Sequence, residues 1–177
     1  ALESQDPIKN FDFLGFTIQY EMCYTNILQV LELSQIPMYA KDRGEDDPII
    51  LGGGPCTYNP EPIADFFDFF YIGEGETSYN KIFDIYIDNK KNKGSRQDFL
   101  EKIAEIEGIY VPAFYDVEYK QDQTIKSFSK NRLSAKERIK KQVDTSLSIN
   151  NYPKKPLVPF IQVTQDRVVL EIQRGCI

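Results

Sequence analysis

The 177-residue sequence contains no histidine and no tryptophan, and only three cysteines and two methionines. Without histidine the chain lacks the commonest neutral-pH base, so Ser-His-Asp triads, Cys-His pairs and histidine-containing metal sites are excluded, and hydrolytic chemistry is disfavoured. Cys23, Cys56 and Cys176 are scattered and odd in number. That arrangement suits three thiols rather than a disulfide framework, and it offers no self-contained zinc or CxxC site. No apolar run approaches the roughly 20 residues a bilayer crossing needs, and residues 1–9 lack the basic-then-apolar layout of a signal peptide. The expected location is cytoplasmic, without membrane attachment.

What is present is an ordinary globular balance, 41% hydrophobic and 13% aromatic, with 12 Phe and 11 Tyr. At this length one core-bearing domain plus an appendage is expected. The net charge of -6 is unevenly spread: residues 1–90 hold 5 basic against 16 acidic side chains, whereas residues 91–177 hold 16 against 11. An acidic first half is a poor nucleic-acid surface. The basic excess gathers in Lys126, Lys130, Arg132, Lys136, Arg138, Lys140 and Lys141. These read either as a solvated face or as a surface for RNA phosphates or an acidic partner.

Residues 12–18 (DFLGFTI) form a short apolar run of the kind buried on both faces of a sheet, and a helix capped at Thr25 or Asn26 should follow, ending before Pro37. The alternation recurs. Residues 48–51 read as a strand before a turn-rich segment and a helical turn at 63–67, and residues 69–72 as a strand before a helix bearing Tyr79, Ile82, Phe83 and Tyr86 on one face. Ser95 should cap a further helix with Phe99, Ile103 and Ile106 inward, stopped by Gly108. Residues 109–119 look extended, residues 125–159 read as a polar, basic and then proline-rich connector, and residues 160–173 recover strand character with a hairpin turn at Asp166 and Arg167. Repeated strand-helix units predict an α/β fold with a doubly wound, mainly parallel sheet.

In such a sheet ligands sit beyond the carboxyl ends of the strands. The candidate loops are therefore those after each strand. Thr17, Gln19 and Glu21 could hydrogen-bond a ligand or merely finish a strand. Gly52, Gly53, Gly54 and Pro55 allow close backbone approach to a bound group or a tight turn of positive φ. They form neither GxGxxG nor a P-loop, since Thr57 stands at the last glycine position and no Gly-Lys-Ser/Thr follows. Gly73, Glu74, Gly75 and Glu76 precede a helix, where two carboxylates would repel phosphate and instead accept hydroxyl or amide hydrogens, or complement the helix dipole.

The stretches GFTIQYEMCYTNIL, DRGEDDP, GGGPCTYNPEPIADFFD, IGEGE and VVLEIQRGC together resemble a family of uncharacterised radical S-adenosylmethionine (SAM) proteins with a cobalamin-binding-like N-terminal domain. The resemblance implies a flavodoxin-like or B12-binding-like sheet, missing its first strand, over residues 1–120. It also implies a connector over 121–159 and a strand or hairpin over 160–177 leading to an absent radical SAM domain, which is the expected partner. By the same resemblance Cys176 is the first cysteine of a CxxxCxxC motif holding a [4Fe-4S] cluster that binds SAM, with the fragment itself binding none. Cobalamin would be approached by Thr17 and residues 52–54. The implied missing strand leaves a sheet edge open to homodimerisation or to capping by the terminal strand. The alternative is a docking module for RNA or protein.

Overall fold

The computed structural model describes residues 1, 4–146, 148–152 and 171–174. Cys176, the turn at Asp166 and Arg167, and most of the strand-like terminal segment lie outside the described residues.

The sheet is α/β in character and mostly parallel, compatible with a flavodoxin-like arrangement. Strands β1 (Phe13–Thr17), β2 (Ile49–Gly53), β3 (Phe69–Tyr71) and β4 (Ile109–Tyr110) lie in the order β1-β2-β3-β4. The first three run parallel, and β4 returns antiparallel beside β3. Side chains alternate across the sheet as strand geometry demands. Ile49, Phe69 and Tyr71 face one core, and Ile50 and Phe70 face the other. Because both faces are covered, the central strand reads as an uninterrupted Phe-Phe-Tyr run, with all three residues at most 1% exposed.

Helix α1 (Tyr24–Leu33) buries Ile27 and Leu31 on the Ile50 face, and the 3-10 segment Glu61–Phe66 adds Ile63 there. Right-handed crossovers stepping in one direction put successive connections on the same face. The other face is left to α2 (Tyr79–Lys91) and α3 (Arg96–Ala104), which intervene before the antiparallel β4 and bury Ile82, Phe99, Leu100, Ile103 and Ala104. The helix after β1 begins earlier than Thr25, because a 3-10 turn at Glu21–Cys23 runs directly into it. Ser95 caps α3 as expected: its hydroxyl accepts the Asp98 N–H at 3.1 Å, and the Asp98 carboxylate accepts the Ser95 N–H at 2.8 Å. The stripe on α2 is only half buried. Ile82 is inside, whereas Phe83 lies over Phe13 of the edge strand β1 and stays partly exposed.

Residues Ile125–Lys130, expected within the polar connector, form strand β6, paired antiparallel with β5 (Tyr115–Tyr119). Backbone pairing between two adjacent segments with a turn near Gln123 overrides the weak apolar signal, and Phe128 stacks on Tyr115. The chain then returns to the sheet, where Gln142 forms a parallel bridge with Gly73 at the end of β3.

Candidate functional site

The parallel register sets Thr17 opposite Gly53, so β1 and β2 end level. The loops that leave them are tied together at once. The Ile18 N–H donates to the Gly53 carbonyl at 2.7 Å, and the Cys56 N–H donates to the Ile18 carbonyl at 3.2 Å. This crossing explains Gly54, whose φ is 96° and whose absent Cβ would lie 2.8 Å from the Ile18 carbonyl oxygen. A Cβ on Gly52 would meet the Phe70 ring at 2.6 Å, and one on Gly75 would meet the Tyr79 ring at 2.6 Å. At Gly73, with φ 120°, a Cβ would collide with the Gln142 backbone. Gly53 differs: a Cβ there would sit 3.7 Å from the Tyr79 hydroxyl, an ordinary contact. The close approaches that glycine permits are therefore taken up by the chain itself at four of these five positions.

Thr17, Gln19, Glu21 and Pro55 are exposed around these ends, and so are Tyr20, Met22, Tyr58 and, less fully, Tyr79. The thiols of Cys23 and Cys56 are free and partly buried. Burial pushes the Cys56 thiol up, and Glu21 and Cys23 push in the same direction. A raised thiol is a poor nucleophile at neutral pH, which does not suit a catalytic cysteine. Burial, with Cys56 and Glu21 adding to it, likewise raises the Tyr24 phenol.

The third loop carries the densest polar network. Gln142 sits beside it, donating its N–H to the Ile72 carbonyl at 3.0 Å and accepting the Glu74 N–H at 3.0 Å. The Glu74 carboxylate accepts the Asp144 N–H at 2.6 Å and lies 3.5 Å from the Arg174 guanidinium. Arg174 donates to Glu76 at 2.6 Å and to Glu171 at 2.8 and 3.0 Å, and the Tyr152 hydroxyl donates to Glu171 at 2.5 Å. The Arg174 hydrogen bond holds the Glu76 carboxyl below the usual carboxylate range, against a smaller opposing effect of burial. Glu74 and Glu76 thus accept hydrogen bonds from within the chain. Their partner Arg174 stands 98 residues from Glu76, a separation at which no local pattern could have singled it out.

Among the described residues, two surface clefts lie elsewhere. One of about 940 Å³ runs between α2, α3 and residues 131–134, and one of about 320 Å³ is lined by Tyr39, Glu61, Tyr110, Tyr115 and Phe128. Neither includes any of the candidate loop residues.

At the opposite, amino end of the strands, the DRGEDDP stretch has a structural explanation. Arg43 and Arg96 converge on Asp68, with side-chain exposures of 0%, 10% and 3%. Asp68 also accepts the Ile50 N–H at 2.7 Å, while Arg43 donates to the Pro37, Met38 and Phe66 carbonyls. Every polar atom of this buried cluster has a partner, so it reads as a clamp rather than a site.

Four of the seven basic side chains of this stretch face carboxylates. Lys126 pairs with Glu118, Lys130 with Glu137, Arg132 with Glu101 and Lys136 with Glu107, and Lys141 lies over the Tyr58 ring. Cations already facing carboxylates present a weakened field to RNA phosphate. Among the described residues no group of three or more His, Cys, Asp or Glu could hold a metal ion, and no helix is long and apolar enough to cross a membrane.

A family model described as "Radical SAM proteins, N-terminal" matches residues 1–112, more than half of the chain. The chain is also similar to an uncharacterized protein of Methanocaldococcus jannaschii, 29% identical over 184 residues, covering 99% of this chain and 30% of that protein. It thus spans less than a third of that relative's length. No solved structure matches it.

Proposed function

Because the chain belongs to the radical SAM proteins, matched through their N-terminal region, we propose that it is the N-terminal α/β domain of an enzyme that binds SAM at a [4Fe-4S] cluster. The match over residues 1–112 carries this reading. When bound, such a cluster supplies the electron for reductive cleavage of SAM. The described residues offer no ligand set for it. Cys176 is assigned as its first thiolate, the others coming from outside residues 1–177, because a cluster needs its full set of thiolates.

The chain's own contribution is support and positioning, since the cofactor carries the hard chemistry. Three adjacent parallel strand ends form a platform, and Tyr20, Met22 and Tyr58 expose apolar surface around it. Residues 171–174 rest on that platform through Arg174. This supports a face that receives the SAM-cleaving part of the same protein.

Cobalamin fits the described loops poorly. Gly52, Gly54 and Gly73 are closed by Phe70, Ile18 and Gln142, which leaves Gly53 as the one glycine of these loops other than Gly75 not crossed by its own core or backbone, and Gly75 lies under Tyr79.

The function is tested on the full-length protein prepared anaerobically. Cys176→Ala should abolish bound iron and sulfide together with the electron paramagnetic resonance (EPR) signal of the reduced cluster. Retention of the wild-type content and signal would refute the assignment. Titration with cobalamin, comparing wild type with Gly53→Val, tests the second cofactor: no spectral shift is expected in either.

A further inference from the structure

The smaller of the two clefts is walled by aromatic rings from separate parts of the fold. Phe128 of β6 stacks on Tyr115 of β5 at 5.4 Å between ring centroids, and Tyr115 meets Tyr110 of β4 at 4.9 Å. Tyr39, from the segment after α1, adds a fourth ring. Tyr39 and Phe128 remain 42% and 47% exposed, so this aromatic surface is not spent on the core. The polar groups of the lining mostly accept hydrogens or carry negative charge. The Tyr110 hydroxyl donates to the Glu61 carboxylate, and the Tyr115 hydroxyl donates to the Lys136 carbonyl at 2.7 Å. Burial, and then the hydrogen bond to Glu61, pushes the Tyr110 phenol up, which keeps that proton in place. Asp65 adds a second, exposed carboxylate. Among the described residues that line the cleft Lys41 alone is positive, and its ammonium lies 5.5 Å from the centroid of the Tyr39 ring.

We propose that this cleft binds a small alkylated ammonium ion against its rings, with Glu61 and Asp65 supplying the counter-charge. The negative face of an aromatic ring attracts a cation, and the attraction grows as water is excluded. Alkyl groups spread the charge over a larger, weakly hydrated surface, so such an ion gives up less on leaving water than a bare ammonium does. The chain itself shows the preference, since Lys41 already rests its ammonium on a ring of this wall. Lys41 is exposed, so it is free to turn to solvent when a ligand cation enters. An anion would meet two carboxylates against one ammonium. A neutral polar ligand would compete for phenol hydrogens already given to Glu61 and Lys136. The volume of about 320 Å³ lies at the small end of ligand pockets, which suits a small molecule rather than a peptide. None of these residues belongs to the loops at the carboxyl ends of β1, β2 and β3, so the inference goes beyond the proposed function and does not depend on it.

The test is isothermal titration calorimetry of the full-length protein with choline and with its neutral carbon isostere, in which a tert-butyl group replaces the trimethylammonium. Choline should bind with a dissociation constant in the millimolar range or below, and the neutral isostere about tenfold more weakly or worse. Phe128→Ala should weaken choline binding about tenfold, the effect of losing one ring from a partly desolvated cation–π contact. Phe128 is half exposed, so this variant should fold, which an unchanged circular dichroism spectrum verifies. Asp65→Asn, which keeps the size and removes the charge, should weaken choline about threefold. No choline binding at tens of millimolar, equal binding of the two isosteres, or a dissociation constant unchanged in either variant overturns the inference. None of these readouts requires an iron–sulfur cluster, so such a failure leaves the proposed function standing.

Discussion

Replacing Asp68 with alanine removes the acceptor at the centre of the buried clamp. Asp68 receives Arg43 at 2.8 Å, Arg96 at 3.1 and 2.8 Å, and the Ile50 N–H at 2.7 Å. Taking one partner out of a buried ion pair costs about 3–5 kcal/mol, because the charge that remains is neither solvated nor compensated. Burial already pulls the Arg43 guanidinium down, and Asp68 opposes that pull. The Ile50 N–H loses its acceptor as well, at about 1 kcal/mol or more. Retained carbonyl contacts offset part of the loss: Arg43 keeps Pro37, Met38 and Phe66, and Arg96 keeps Gly44, Asp47 and Pro48. A net loss of about 4 kcal/mol follows, a large share of the roughly 5–15 kcal/mol typical of a folded domain. With a urea slope of about 2 kcal/mol/M, the midpoint should fall by about 2 M. Urea unfolding followed by circular dichroism reads the shift, with Asp65→Ala, an exposed acid nearby, as a control expected to move little. A midpoint change for Asp68→Ala below about 0.5 M would show that the three side chains do not act as a clamp.

Phe99→Ala should cost about 3–5 kcal/mol in the same assay, since Phe99 is 1% exposed and its ring meets Phe13, Phe69 and Tyr86; a loss under about 1 kcal/mol would contradict this packing. Ser95→Ala removes the α3 cap and should cost about 1 kcal/mol, measured as a urea midpoint shift with unchanged slope. The Asp98 carboxyl is held below the usual range by the Ser95 N–H and then by the Ser95 hydroxyl. Its contribution is therefore present in full above the unfolded carboxylate pKa of about 4 and is lost as pH falls through the lowered value. The gap between wild type and Asp98→Asn should accordingly close on acidification, and a gap independent of pH would refute the capping box as its cause. Gly73→Ala should release the Gln142 strand from β3, seen as faster hydrogen exchange at the Glu74 and Gln142 amides; unchanged protection would mean that the backbone tolerates a side chain there.

Much of the fold was legible because it is written in local patterns. Residues 12–18 (DFLGFTI) and 69–72 (FFYI) are apolar runs in which strands β1 and β3 lie; β3 is buried on both faces as expected, whereas β1 is the edge strand and none of its residues is fully buried. The Ser95 cap and the Phe99 and Ile103 stripe are spaced along one helix, so the start of α3 was legible from spacing, whereas the helix ends at Ala104, before Ile106 and the stop expected at Gly108. The candidate loops were also locatable in outline, because the carboxyl ends of parallel strands follow from strand-helix alternation. Strand β6 was not legible, since Ile125–Lys130 carries one Phe among polar residues and is held by pairing with β5 rather than by a buried face.

What each glycine and carboxylate does could not be read from sequence at all. Gly52, Gly54 and Gly73 look alike along the chain, but tertiary packing sets each against a different neighbour, Phe70, Ile18 and Gln142. From sequence Glu74 and Glu76 could accept hydrogens from a ligand or complement a helix dipole; the fold brings Arg174 to them from the far end of the described chain. By itself the sequence determined the alternation of strands and helices and the exclusion of histidine chemistry, because composition and periodicity act over a few residues. Only the tertiary structure decided which polar groups are already satisfied, since their partners lie tens of residues away and meet only when the sheet has formed.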